Sequence, residues 1–261
     1  TPYTSSAASD VYKRQEFSYD GSNYHGIQKQ PNSSTIQEIL ETNISKYSGS
    51  NINLTLAGRT DAGVHAKQMF AHFDMDHDFD KSNFCRSLNM MIPKDICLEC
   101  LSLVNNDSHA RFDALSRTYE YYISSKKDPF NFKFSYFFRD KLDIDKMNKS
   151  CIRLIRHKNF KCFSKSNTDV KTYDCDIQFA EWKISKKGYK FSIRANRFLR
   201  NMVRSIVGTM IEIGIQKITD KDFQIILDSE DRRKAGYSVP ASGLFLTGIN
   251  YKKIFETRWK K

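Results

Sequence analysis

Long apolar runs are absent from this chain. No stretch approaches the roughly 20 residues that a membrane-spanning helix requires, and no charged-then-apolar leader precedes the body of the sequence. A soluble, cytoplasmic protein without a membrane partner is therefore expected. Acidic residues are few beside basic ones, 30 Asp and Glu against 42 Lys and Arg, giving a net charge of +12. That imbalance favours a polyanionic partner, nucleic acid before membrane, although charge alone does not identify one. Closely paired cysteines are scarce. The 6 Cys are expected to be free thiols in a reducing compartment. A single CxxC, Cys97 to Cys100, lies in Ile96-Cys97-Leu98-Glu99-Cys100-Leu101. This reads as a strand, in which positions three apart point to opposite faces. No second pair follows at ligand spacing, so no metal site is expected.

What the chain does have is a short polar loop between two alternating segments. Leu56-Ala57-Gly58-Arg59-Thr60-Asp61-Ala62-Gly63-Val64-His65-Ala66 is preceded by Ile52-Asn53-Leu54-Thr55-Leu56 and followed by Met69-Phe70-Ala71-His72-Phe73. Both flanks have the period of a half-buried strand. Asp61 would thus sit on a strand-to-strand connection, where rigid neighbours hold chemistry-bearing side chains. Arg59, two residues earlier, would stabilise the ionised carboxylate if the two side chains meet. Thr-Asp-Ala-Gly is equally ordinary turn chemistry, and the residue types alone leave both readings open.

Helices announce themselves by their caps. Thr35-Ile36-Gln37-Glu38 has the form of a capping box ahead of Ile39, Leu40, Ile44 and Tyr47 at helical spacing. A second helix is predicted from Asp143 to Ile155, and a shorter one opens at Thr219-Asp220-Lys221-Asp222. The longest is predicted over about Arg197 to Ile215, with Phe198, Met202, Val203, Ile206, Val207 and Met210 as its apolar stripe. Arg197, Arg200 and Arg204 would then share a separate basic stripe, for which a solvated helix flank is the plain alternative. Strands are predicted around Tyr119 to Ser124, Ile177 to Ile184, Tyr189 to Ala195 and Phe245 to Tyr251. Mixed helices and neighbouring strands suited to antiparallel pairing point to an α+β fold.

Gly58-Arg59-Thr60-Asp61-Ala62-Gly63-Val64-His65 closely resembles the active-site motif of the tRNA pseudouridine synthase I family. The resemblance runs on through most of the chain. It includes Phe17 to Gly26, His109-Ala110-Arg111-Phe112-Asp113-Ala114 with Arg117-Thr118-Tyr119-Glu120-Tyr121, and Asn159 to Ser164. Asn201-Met202-Val203-Arg204-Ser205-Ile206-Val207-Gly208 and Pro240-Ala241-Ser242-Gly243-Leu244 complete it. Ile27 stands where the family often has Trp, and Thr1 to Gln15 depart from the pattern altogether. That opening is rich in Ser, Ala and Thr without apolar alternation, and it reads as a tail foreign to the fold.

The resemblance implies two related α/β halves, residues 16–112 with the catalytic loop and 113–261, sharing one mixed, mainly antiparallel sheet around a central cleft. It implies a homodimer acting on tRNA uridines of the anticodon stem-loop, at about positions 38 to 40 in tRNA numbering, with no cofactor. Asp61 becomes the nucleophile or base, Arg204 its ion-pair partner, and Arg59 a side chain that holds the flipped nucleotide or its vacated space. Tyr119 would stack on the target uracil and Leu244 would wall the pocket. Plain core roles remain open for Leu244 and for one of Tyr119 and Tyr121. His65 and His72 read as structural, and Lys165, Lys171, Arg232, Arg233 and Lys234 as a wet face or phosphate contacts.

Overall fold

The fold is described from a computed structural model covering residues 11–75, 80–105, 107–165 and 170–252. Of the predicted tail, Thr1 to Gln15, residues 1–10 lie outside the described residues. The strands β1 (Val11–Tyr19), β2 (Thr55–Leu56), β3 (His65–Met75), β4 (Ile96–Leu103), β5 (Ser116–Ser124), β6 (Tyr136–Phe137), β7 (Ile177–Ser185), β8 (Gly188–Ala195) and β9 (Leu244–Asn250) form one sheet. Its order is β4-β1-β3-β9-β5-β8-β7, with β2 beside β3 and β6 beside β5. Most pairs are antiparallel. The parallel exceptions are β3 with β9, which joins the two halves, and β5 with β6. This is a mixed α+β fold, as the alternation of the strands predicts.

Helices α1 (Ile36–Ser48), α2 (Lys81–Met91), α3 (Ile144–Arg156), α4 (Met202–Gly214) and α5 (Asp220–Asp228) supply the rest of the cores. One core gathers Phe17, Ile36, Leu40, Met69, Phe84 and Leu98; the other gathers Tyr121, Leu154, Trp182, Phe191, Ile206 and Phe223. Tyr119 packs against both, which places it on the seam. Three predicted helix starts hold. Thr35 Oγ1 accepts from Glu38 N–H, Asp143 caps through Lys146 N–H, and Thr219 with Asp222 forms a reciprocal capping box.

Three expectations change. The first strand begins at Val11, so the segment read as foreign contributes strand residues that pair with Met75 through Ala71. Gln15 explains the missing alternation: it is fully buried, with its amide donating to the Cys100 carbonyl at 2.8 Å. Cys97 and Cys100 are both exposed rather than on opposite faces, because the β1–β4 register shifts between Glu16 and Phe17. Finally, the long helix starts at Met202 and not at Arg197, because Asn201 takes a left-handed conformation at φ 66°. Asn tolerates that region better than most residues. Here its side-chain amide donates to Ser205 Oγ at 3.0 Å and also to Ser238 Oγ.

Candidate active site

The loop 57–64 connects β2 to β3 and is clamped from both halves of the molecule. From the first half, Tyr19 and Thr60 share a buried hydroxyl hydrogen bond of 2.7 Å. Ile27 N–H donates to the Thr60 carbonyl at 3.4 Å and Gly63 N–H to the Tyr24 carbonyl at 3.3 Å. Gly21 must lack a side chain, since a Cβ there would lie 2.0 Å from the Val64 carbonyl oxygen. From the second half, the buried His65 ring reaches the short turn Ala241–Gly243. Its Nε2 lies 3.2 Å from the Ser242 carbonyl and 3.0 Å from that of Lys133. With the proton on Nε2 the ring donates there, and Nδ1 accepts from Gly21 N–H at 3.1 Å. His65 is therefore a structural clasp, as its residue type suggested.

Asp61 projects from this clamped loop toward the start of α4. Arg204 Nη1 lies 3.7 Å from its Oδ2, and Arg200 Nε lies 3.6 Å from its Oδ1. No donor among the described residues makes a hydrogen bond to either oxygen. A structural carboxylate looks different: Asp220 accepts from Arg153 Nε at 2.8 Å and from Ser150 Oγ at 2.8 Å. Asp61 is held in position by its backbone and neutralised at a distance, with neither oxygen tied up in a hydrogen bond to a described residue. An isolated charge in a partly desolvated cleft would be costly, and the guanidinium groups offset that cost.

Arg204 is itself immobilised. Its Nε donates to the Val239 carbonyl at 2.7 Å, while Val239 N–H returns a bond to the Arg204 carbonyl at 3.3 Å. The segment carrying Val239 lies tight against α4 because Gly208 has no side chain; a Cβ there would sit 1.8 Å from the Tyr237 carbonyl oxygen. Arg232 braces the same segment through the Gly236 carbonyl at 3.0 Å and Ser238 Oγ at 3.0 Å. Its role is local structure, and Arg233 is paired with Asp231.

Tyr119 pairs with Leu246 on one side and Ile193 on the other, and its ring meets Phe198 edge-on at 5.2 Å. Burial, and then the nearby charge of Asp61, push its hydroxyl pKa well above the ordinary tyrosine value. The hydroxyl therefore stays protonated at neutral pH. Leu244 is buried at the head of β9, opposite Tyr121 and within the second core. Arg59 does not meet Asp61, so the stabilisation that depended on their meeting is not made. Arg59 is exposed and makes no ion pair with Asp61, whose cations come instead from α4 and the turn before it. Arg200 is the residue that sequence reasoning undervalued. A cavity of about 300 Å³ opens elsewhere, between Asp20, His65, Lys67, Asp95 and Phe245, and neither Asp61 nor Tyr119 lines it.

The family model described as tRNA pseudouridine synthase matches residues 17–113 and 151–252. The chain belongs to that family. Among similar proteins is one called tRNA pseudouridine synthase A from Bacteroides thetaiotaomicron, 45% identical over 247 residues, covering 93% of this chain and 92% of the relative. A protein of the same name from Bacteroides fragilis is 45% identical over 241 residues, covering 91% and 96%. A third, from Caldicellulosiruptor saccharolyticus, is 36% identical over 240 residues, covering 89% and 96%. The matched segments contain the Asp61 loop, Tyr119's neighbours across the sheet, Arg200, Arg204 and Leu244.

Proposed function

We propose that the protein isomerises uridine to pseudouridine in tRNA, with Asp61 as the acting carboxylate. Membership of the family and relatives named tRNA pseudouridine synthase A support the activity. The observation that carries the residue assignment is the Asp61 site itself, a clamped carboxylate faced by two guanidinium groups and accepting no hydrogen bond from the described residues. The reaction breaks the N1–C1′ glycosidic bond and forms C5–C1′, with N1 gaining a proton and C5 losing one. It consumes no oxidant and no water. Its demand is a fixed carboxylate at the sugar–base junction, either as nucleophile or as base.

The other roles follow from position. Tyr119, half-buried beside Asp61, offers a ring on which an extruded uracil can stack, returning part of the cost of leaving the helix. Arg59, exposed and without a side-chain partner among the described residues, would hold the flipped nucleotide or fill its gap. Leu244, buried opposite Tyr121, is assigned to the apolar wall of the pocket by the resemblance of its motif. The substrate region is the anticodon stem-loop at about positions 38 to 40, an assignment that rests on the resemblance of the motifs. Recognition would read the shape and phosphates of a folded RNA more than its base sequence.

A homodimer fits the same family pattern. Phe130 and Phe132 are 89% and 65% exposed and leave apolar surface for contact between copies. Mapping pseudouridines in unmodified tRNA after incubation with the purified protein tests the activity. New pseudouridine in the anticodon stem-loop is expected, and its absence from every tRNA supplied would leave only an RNA-binding protein of this fold.

A further inference from the structure

We infer that Arg200 is a transferable cation. It neutralises Asp61 while the cleft is empty and moves to an RNA phosphate when substrate enters, baring Oδ1 for the target nucleoside. This rests on the reading of Asp61 as the acting carboxylate of an RNA enzyme.

The two guanidinium groups on Asp61 are built differently. Arg204 stands in the first turn of α4, 21% exposed, and its Nε is fastened to Val239. Arg200 lies in the turn ahead of the helix and is 60% exposed. Only its backbone is anchored, through a bond from Lys165 N–H to its carbonyl at 3.0 Å. Asp61 is the sole partner of its guanidinium among the described residues, and at 3.6 Å the contact is a charge pair without a hydrogen bond. Pairs of that kind, open to solvent, are weak and easily exchanged.

Chemistry requires the exchange. A carboxylate oxygen faced by a guanidinium at 3.6 Å has no room for a nucleoside on that side. An arriving phosphate adds a negative charge near Asp61, and the repulsion falls if a cation already in the cleft meets it. The planar fork of arginine suits phosphate oxygens, and an exposed, unanchored side chain can reach them. Arg204 stays behind and keeps Oδ2 neutralised. Arg200 is thus a substrate-binding residue that shields the carboxylate between turnovers.

A double-mutant cycle reads this directly. Dissociation constants for unmodified tRNA are measured between 50 and 200 mM salt for the wild type, Arg200→Gln, Asp61→Asn and the double variant. Arg200→Gln is expected to weaken binding and to make the salt slope shallower by about 0.7 to 0.9, the signature of one lost phosphate contact. The weakening should be about two- to fivefold greater in the Asp61→Asn background, because there Arg200 has no pair to break before it binds RNA. Arg200→Lys should restore most of the slope. At saturating tRNA Arg200→Gln should lose less of the single-turnover rate than Arg204→Gln does, while KM rises.

Were Arg200 to remain on Asp61 in the complex, its loss would leave a bare carboxylate facing RNA. The weakening would then be greater with Asp61 present, and the slope unchanged. Equal costs in the two backgrounds would also overturn the inference, as would a rate loss matching that of Arg204→Gln. Failure of the Asp61 reading is separable, since it appears as turnover by Asp61→Asn alone, whatever the binding cycle shows.

Discussion

Arg204 Nε donates to the carbonyl of Val239 at 2.7 Å, which fixes a guanidinium 3.7 Å from Asp61 Oδ2. One arginine thus uses separate nitrogens to hold its own position and to face the carboxylate. Lysine has one nitrogen and would have to serve both acceptors from a single point, without the spacing of the planar fork. Arg204→Gln is expected to lower kcat by about a hundredfold, in the range for losing one preorganised electrostatic group. Arg204→Lys should fall between that value and wild type. Single-turnover kinetics at saturating tRNA check the order.

Gly208 controls the same arrangement from behind. A Cβ at this position would lie 1.8 Å from the Tyr237 carbonyl, and the obstacle is backbone rather than a side chain able to turn away. Gly208→Ala should cost about 1–3 kcal/mol by overpacking, seen as a Tm lower by several degrees. The segment carrying Val239 must shift, so activity should fall in parallel at temperatures where the protein remains folded. Calorimetry with activity measured on the same sample tests both halves of that expectation.

Much of this fold can be read from local sequence. Thr35, Asp143 and Thr219 mark helix starts by chemistry confined to three or four residues, and β5, β7, β8 and β9 show plain strand alternation. The misses depend on distant partners. Phe198, Met202 and Val203 have helical spacing, yet Asn201 breaks the helix because Ser238, 37 positions on, receives its amide. That break takes Arg200 off the helix and hands it to Asp61, so the second cation was invisible as a site residue. Val11 to Gln15 are strand because β3 pairs with them, and helix α2 has little apolar stripe to announce it, since its buried side chains among those described are Phe84 and Leu88.

Tyr119 links the seam of the sheet to Asp61. Tyr119→Leu removes the ring while keeping an apolar β5 residue, and base–aromatic stacking contributes about 1–3 kcal/mol. A decrease in kcat/KM of roughly five- to 150-fold is expected on that scale. Unchanged kcat/KM on a tRNA substrate would remove Tyr119 from the site.

Stability should decline on acidification below neutral pH. Burial lowers the pKa of His65 and of His72 in the folded protein, against the opposing charge of Asp20 on His65. Above the ordinary value of 6.5 both states are neutral and these groups contribute no pH dependence. As the pH falls below it, the unfolded chain takes up protons that the folded protein resists, so stability is lost. Tm measured from pH 7.5 to 5.5 should decrease. For the clasp residue itself, His65→Gln should show a smaller decrease than wild type.

Binding to tRNA should be strongly salt-dependent, as the net charge of +12 suggests. With about six phosphate contacts and a slope near −0.7 for each, affinity should drop roughly 300-fold between 50 and 200 mM salt. An affinity that is flat over this range would contradict an electrostatic mode of recognition.

Release of tritium from tRNA carrying 5-tritiated uridine reports rupture of the C5–H bond and tests Asp61 most directly. The wild type should release label, and Asp61→Asn should release none above background while binding tRNA within a few fold of wild type. Continued release by Asp61→Asn at a normal rate would contradict the assignment of the chemistry to this carboxylate.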